Sequence, residues 1–210
     1  MARKRIITTM AEMSAALMSA FNLINKDFYN GELEKPIITV KEGRKKNAYG
    51  WIETAKNWTQ SKSERHEINI SCDYIGDREV FETIGTLMHE MAHLYNLQNG
   101  IKDTTRAGIY HNKRFKETAE AHGLQIDYSE HIGWSLTTVP DSTRQWIEEN
   151  INIKGFSLFK RTAEKVPGAS KPKQSMRKMV CPDCGCIIRV TKPDLHILCV
   201  DCNKKFEYEE

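Results

Sequence analysis

His89 and His93 stand four residues apart in the run His89-Glu90-Met91-Ala92-His93. On a helix that spacing places both imidazoles on one face, one turn apart, where they can reach a single Zn²⁺. Glu90 follows the first imidazole and points toward the same cavity without crowding the metal. Its carboxylate can take a proton from an attacking water and later pass it to a leaving amine. Zinc lowers the pKa of the water it binds to about 7. The chemistry implied is metal-assisted hydrolysis of an amide bond. Two solvent-facing histidines on an ordinary helix are the bland alternative. The apolar stripe of the surrounding segment argues against it.

A catalytic zinc takes three protein ligands and keeps its fourth position open. Downstream, His111, His122, Glu117 and Glu120 are the candidates for the third. His111 lies 18 residues past His93, enough for a loop that folds back. His122 stands beside Gly123 at the far end of a predicted helix, where a cation complements the helix dipole. Glu117 best suits a thermolysin-like arrangement. A metzincin pattern fails, because Asn96 and Asn99 stand where its Gly and third His belong. Spacing favours His111 without deciding the matter. Tyr95 and Tyr110 flank the ligands and could meet an oxyanion, although packing is the commoner role of such rings.

The last 30 residues hold a second constellation, Cys181-Pro-Asp-Cys184-Gly and Cys199-Val-Asp-Cys202. Four thiolates on two turns, separated by a hairpin's worth of chain, predict a tetrahedral structural zinc site. Strands are expected over 187–190, 195–198 and 205–208. A piece this small has too little core to fold alone, and zinc makes up the deficit. Cys186 is a spare thiol, and His196 reads as a strand residue. Cys72 stands alone and reads as a small buried side chain. Cysteines paired as Cys-x-x-Cys, in a chain with no export signal in view, point to metal and not to disulfides.

The elements that must position the first site follow from periodicity. Met10, Met13, Leu17, Phe21, Ile24 and Phe28 recur every three or four residues and predict a helix over 9–30, with Thr9 and Glu12 at capping-box spacing and Asn30-Gly31 as the stop. Strands are expected over 37–40, 47–53 and 66–71, the last half-buried because Ile68 and Ile70 alternate with polar residues. A second helix spans 78–98 with Asp77 as its N-cap. A third covers 112–122, and a short one 142–150. The order helix, strands, helix, helix gives an α+β domain. Either the strand at 47–53 or the one at 66–71 can offer an edge for an extended peptide.

Five segments occur in order: Phe28-Tyr29-Asn30-Gly31-Glu32-Leu33, Ala48-Tyr49-Gly50-Trp51, Ile68-Asn69-Ile70-Ser71, His89-Glu90-Met91-Ala92-His93 and Gly108-Ile109-Tyr110-His111-Asn112-Lys113-Arg114-Phe115. The series resembles the SprT-like metallopeptidases, the family of the Spartan DNA–protein crosslink proteases. The likeness covers roughly residues 10–125, with a weaker echo at Gly133-Trp134-Ser135. It implies a zincin-like domain of helices on a small, mainly antiparallel sheet. It also implies His111 as third zinc ligand, Glu90 as catalytic base and a C-terminal zinc ribbon. The chain is much shorter than the Spartan proteins and shows no counterpart of their partner-binding tails.

Three parts are therefore expected: a metallopeptidase domain over 1–160, a basic linker over 161–177 and a ribbon over 178–210. The overall charge of +3 hides an asymmetry, since residues 154–178 carry net +7. Lys160, Arg161, Lys171, Lys173, Arg177 and Lys178 are the candidate nucleic-acid contacts, because basic side chains release counterions from phosphates. Phe156, Phe159 and Tyr208 are candidate stacking residues. A solvated tether explains the same linker equally well. No apolar run of about 18 residues is present, so no membrane span is expected and the protein reads as cytoplasmic. The expected partners are a protein or peptide substrate and DNA. The favoured reading is a zinc endopeptidase with one catalytic and one structural Zn²⁺. The rival is a nucleic-acid-binding zinc adaptor that cleaves little.

Overall fold

In the computed structural model the chain divides into two compact units, Met1–Thr162 and Ala163–Glu210. The structure describes Ile7, residues 9–42, 48–61 and 63–153, Phe156 and residues 176–208.

Helix α1 (Met10–Phe28) opens the first unit. Thr9 caps it, its Oγ1 accepting the Glu12 N–H at 3.2 Å. Met13, Leu17, Ala20, Phe21 and Ile24 are all buried, as their spacing requires. Full burial of a side chain such as Leu17 or Phe21 contributes about 1.5–3 kcal/mol. The helix ends where Asn30 and Gly31 take φ of 53° and 78°. The Gly31 N–H then returns to the Asn25 carbonyl at 2.8 Å.

Next come β1 (Ile37–Lys41), β2 (Gly50–Ile52), a hairpin of β3 (Trp58–Gln60) and β4 (Ser63–Arg65), and β5 (Glu67–Ser71). Three of them form a sheet in the order β1-β5-β2, with β1 parallel and β2 antiparallel to β5. Strand β5 is therefore central, and all its residues are buried, not half of them as the alternation of Ile68 and Ile70 suggests. Its charged residue is supplied with partners instead of solvent, whereas Asn69 accepts from Thr39 Oγ1 at 2.8 Å and keeps a buried Nδ2 with no partner among the described residues. Glu67 receives Lys41 Nζ, Thr39 Oγ1 and Trp58 Nε1, each at 2.6 Å. The expected edge is thus β2, which among the described residues pairs with β5 alone, while β5 is paired on both sides.

Helix α2 (Val80–Gln98) starts two residues later than its apolar stripe predicts. Glu79, not Asp77, is the N-cap. The Glu79 N–H is satisfied by Glu82 Oε2 at 2.9 Å, whereas the Asp77 N–H is spent in a turn on Tyr74. Ile84, Leu87, Met88, Met91 and Leu94 are fully buried. After α2 come β6 (Thr104–Thr105), β7 (Tyr110–His111), α3 (Lys113–Ala121), β8 (Gln125–Ser129), β9 (Gly133–Thr138) and α4 (Asp141–Asn150). The four strands form a sheet in the order β6-β7-β9-β8. Asn112 caps α3 through its Oδ1, which accepts from the Arg114 and Phe115 amides.

The second unit is built from β10 (Arg177–Val180), β11 (Ile187–Val190), β12 (Leu198–Cys199), β13 (Lys204–Lys205) and β14 (Glu207–Tyr208). They form a sheet β11-β10-β14 and a pair β12-β13 around Met179, Cys181, Cys199 and Phe206. Strand β10 begins at Arg177, the last residue of the expected linker. The strand expected over 195–198 shrinks to a pair at its end, because the Leu195 N–H donates to the Tyr208 hydroxyl instead of a ladder. Both units together make a mixed α+β protein. Among the described residues no helix is long and apolar enough to cross a membrane.

Candidate active site and metal centres

The late turns of α2 carry His89, Glu90 and His93, and β7 brings His111 to them. His111 Nε2 lies 3.3 Å from His89 Nε2 and 3.0 Å from His93 Nε2. Two nitrogens each about 2.0–2.1 Å from one zinc at tetrahedral angles lie about 3.3–3.4 Å apart, so the spacing suits one ion.

The hydrogen-bond network assigns the tautomers. His93 Nδ1 faces Asp103 Oδ2 at 2.6 Å, and a carboxylate can only accept, so Nδ1 carries the proton and Nε2 keeps its lone pair. His89 Nδ1 lies 2.7 Å from Thr137 Oγ1, whose own hydroxyl donates to the Ser135 carbonyl at 3.2 Å. That hydroxyl therefore accepts from His89, and the His89 Nε2 is likewise a lone pair. No hydrogen bond of good geometry reaches the buried His111 Nδ1, although the Ile132 and Ile109 carbonyls lie close enough to favour a proton on the ring. One proton cannot serve three converging nitrogens, whereas one cation can.

The electrostatics point the same way. Burial, with His93 and His111 adding to it, drives His89 well below its ordinary value. Burial, with His93 adding, lowers His111 to about 4. Uncharged imidazoles are the form that binds metal. Burial pushes the Glu90 carboxyl up to about 7, against the pull of His93. Asp103 stays below its ordinary value: burial opposes this, but hydrogen bonds from His93 and Asn96 outweigh it.

The other third-ligand candidates stand elsewhere. His122 stacks on Tyr29 at 3.9 Å, and its Nδ1 meets the Thr118 carbonyl. Glu120 pairs with Lys116 at 3.5 Å. Among the described residues Glu117 and Glu120 join no ligand group. Tyr95 packs against Tyr29 and His122. Tyr110 lines an open cavity of about 470 Å³ with Asn112, Lys113, Tyr128 and Trp134.

Two glycines seat the site. A Cβ on Gly50 would lie 2.7 Å from Thr86 Cγ2 and 3.4 Å from Glu90 Oε1, so edge strand β2 lies directly against the Glu90 face of α2. Gly133, at φ 72°, pairs with His111 across β7 and β9. Gly50, Asp103, Thr137 and Gly133 also belong to the surroundings of the three histidines, although spacing alone does not single them out. Gly50 lay in a recognised segment without an assigned role, and Asp103 and Thr137 carry no local pattern.

In the second unit Cys181, Cys184, Cys199 and Cys202 bring their sulfurs within 4.8 Å of one another. The Cys184 backbone amide lowers the Cys181 thiol to about 7, while its bond to the Cys184 sulfur pushes Cys202 up. Four sulfurs this close do not all ionise by themselves, and a bound cation removes the obstacle. Cys186 lies outside the group, and its carbonyl accepts the Cys181 N–H at 2.9 Å. Cys72 is half-buried. Of the candidate nucleic-acid contacts, Arg177 and Lys178 lie on β10, with Arg177 exposed. Lys160, Arg161, Lys171 and Lys173 lie outside the described residues, as does Phe159. Phe156 is buried, and Tyr208 is 39% exposed.

An α+β unit with a buried His-Glu-x-x-His helix and a third imidazole defines a metallopeptidase-type architecture. The sequence matches the SprT-like family over residues 17–132, and the chain belongs to that family. Neither a curated protein nor a solved structure matches the chain. The three-histidine and four-cysteine groups are both able to bind metal.

Proposed function

We propose that the chain is a zinc-dependent endopeptidase. The observation that carries this reading is the convergence of three imidazole nitrogens beside the buried carboxylate of Glu90. Zn²⁺ bound there supplies Lewis acidity and makes water acidic enough to ionise near neutral pH. His89, His93 and His111 are its ligands. Glu90 accepts the proton of the attacking water and delivers it to the leaving amine. Cys181, Cys184, Cys199 and Cys202 hold a second, structural Zn²⁺.

The substrate is a protein in extended form. Among the described residues β2 stands at the end of the sheet order β1-β5-β2, and Gly50 sets that strand against Glu90, so a peptide laid along β2 runs past the base. Pairing through the main chain tolerates many sequences. The net +7 of residues 154–178 favours proteins associated with or crosslinked to DNA, with the basic segment and the ribbon bringing the enzyme to them.

The test is cleavage of casein, and of the chain by itself, by zinc-loaded protein with and without single-stranded DNA. Glu90→Gln runs in parallel. The parent alone should cleave, and DNA should increase the rate, while Glu90→Gln keeps both metals. DNA binding by a fully metallated parent that cleaves nothing would favour an adaptor instead. Loss of metal along with activity in Glu90→Gln would contradict the separate roles of base and ligands.

A further inference from the structure

Asp103 touches both halves of the three-histidine site. Its Oδ2 lies 2.6 Å from His93 Nδ1, on the helix side. Its backbone carbonyl accepts the Asn112 N–H at 2.9 Å, one residue beyond His111 on the strand side. The next residue, Thr104, pairs with His111 itself across β6 and β7. One residue thus joins the helix that supplies two imidazoles to the strand that supplies the third.

The carboxylate is itself held in place. Asn96 Nδ2 donates to the same Oδ2 at 3.0 Å, and Thr118 Oγ1 donates to Asn96 Oδ1 at 2.8 Å. Asn96 is wholly buried, Asp103 is 8% exposed and Thr118 9%. His93 and Asn96 are three residues apart on α2, so both reach Asp103 from one face. The result is a buried chain, Thr118–Asn96–Asp103–His93, in which each donor meets an acceptor. Such a chain stabilises little over apolar packing and is tolerated only when fully satisfied. Packing α2 against α3 does not require it. Its end on an imidazole of the site supplies a reason for it.

We infer that Asp103, backed by Asn96 and Thr118, is a positioning residue for the metal centre, which locks the His93 ring with Nε2 toward the metal and ties it to the strand carrying His111. The inference rests on reading the three histidines as a metal site. A carboxylate behind a ligand imidazole fixes its tautomer and raises its basicity, and losing such a partner typically costs about 10–100-fold in metal affinity. Thr137 offers His89 only a neutral hydroxyl, and His111 has only neutral backbone carbonyls near it, with no hydrogen bond of good geometry to Nδ1. His93 is therefore the most firmly anchored of the three.

The experiment is a Co²⁺ titration of the full chain with its ribbon already loaded with zinc, followed by visible absorption, with His111→Ala as the blank. The parent should show Co²⁺ bands that the blank lacks. Affinity should fall from parent to Asp103→Asn to Asp103→Ala, the last by about 10–100-fold. The Asn variant, which keeps the volume and one acceptor, should recover part of the loss and shift the bands. Asn96→Ala should weaken Co²⁺ binding in the same direction by less, and it carries the test if Asp103→Ala does not fold. Parent-like affinity and bands in these variants would overturn the inference. So would a fall in apoprotein stability with Co²⁺ affinity unchanged, which is what a purely structural role gives. A parent without His111-dependent bands would instead overturn the metal-site reading beneath it.

Discussion

A Cβ built on Gly133 would lie 2.1 Å from the carbonyl oxygen of His111 and 3.1 Å from its carbonyl carbon. The third imidazole is thus presented by a strand, β7, whose neighbour touches it through bare backbone. Gly133 also sits at φ 72°, a conformation that costs an L-residue about 1–2 kcal/mol. Gly133→Ala combines that strain with a clash against backbone that cannot rotate away, and overpacking adds about 1–3 kcal/mol. The variant should melt lower than the parent. It should also lose metal from the three-histidine site while the four-cysteine site stays filled, as metal analysis with and without a thiol-directed chelator would show. An unchanged melting temperature would mean that β9 stands further from His111 than described.

Thr137 accepts from His89 Nδ1 and donates to the Ser135 carbonyl. Thr137→Val keeps the shape and removes both bonds, leaving the His89 N–H without its partner, at a cost of about 1–3 kcal/mol. Metal affinity at the three-histidine site should fall, at the mild end of the roughly 10–100-fold range for outer partners. A competition assay with a calibrated chelator reads this directly. Equal affinity in the two proteins would show that the His89 ring is held by packing against Phe115 instead.

How much of this site was legible beforehand depends on the distance over which each relation acts. His89, Glu90 and His93 lie within one helical turn, so sequence spacing carries their geometry. The four cysteines are legible for the same reason, as two local knuckles. His111 was one of four candidates until the likeness to a family singled it out, because a two-residue strand, β7, has no periodicity to read. Asp103 and Thr137 meet their histidines only through tertiary folding, and nothing in their neighbourhoods marks them. The burial of Glu67 and Asn69 hid behind an alternation that reads as half-exposed. Side chains from β1 and β3 meet the polar side of β5, where Lys41, Thr39 and Trp58 all donate to Glu67 and Lys41 balances its charge.

That cluster gives the first unit a pH dependence with a definite sign. Burial alone would raise the Glu67 carboxyl, but hydrogen bonds from Lys41, Thr39 and Trp58 hold it below its ordinary value of 4.5. A group whose pKa is lower folded than unfolded stabilises above the unfolded value, and the contribution is lost as pH falls through the folded value. Glu67→Gln should therefore cost about 1.5–3 kcal/mol at pH 7, the range of hydrogen bonds to a charged group. The gap to the parent should begin to narrow near pH 4.5, where the Glu67 carboxyl of the unfolded parent takes up its proton, and should close as pH falls through the lower folded value. Denaturant melts at pH 7 and in steps down to pH 3 would follow it. A gap that stays constant over that range would remove Glu67 as a source of acid sensitivity.

The second unit offers a group able to bind metal in place of a large core. Its described core is Met179, Cys181, Cys199 and Phe206, with few partly buried neighbours, too little apolar area to offset the ordering of some 30 residues. Two of its four core residues, Cys181 and Cys199, belong to the four-cysteine group able to bind metal, so without an ion close thiols would stand where a bonded centre could form. Cys184→Ser should unfold this unit, seen as loss of dispersion in its amide resonances, while the three-histidine unit keeps its own spectrum. Cys186→Ser should leave the fold and its metal unchanged, because Cys186 contributes its backbone carbonyl to Cys181 and its sulfur is outside the group. If Cys186→Ser lost the metal and Cys184→Ser kept it, the first knuckle would close on the other thiol and the ligand set would have to be redrawn.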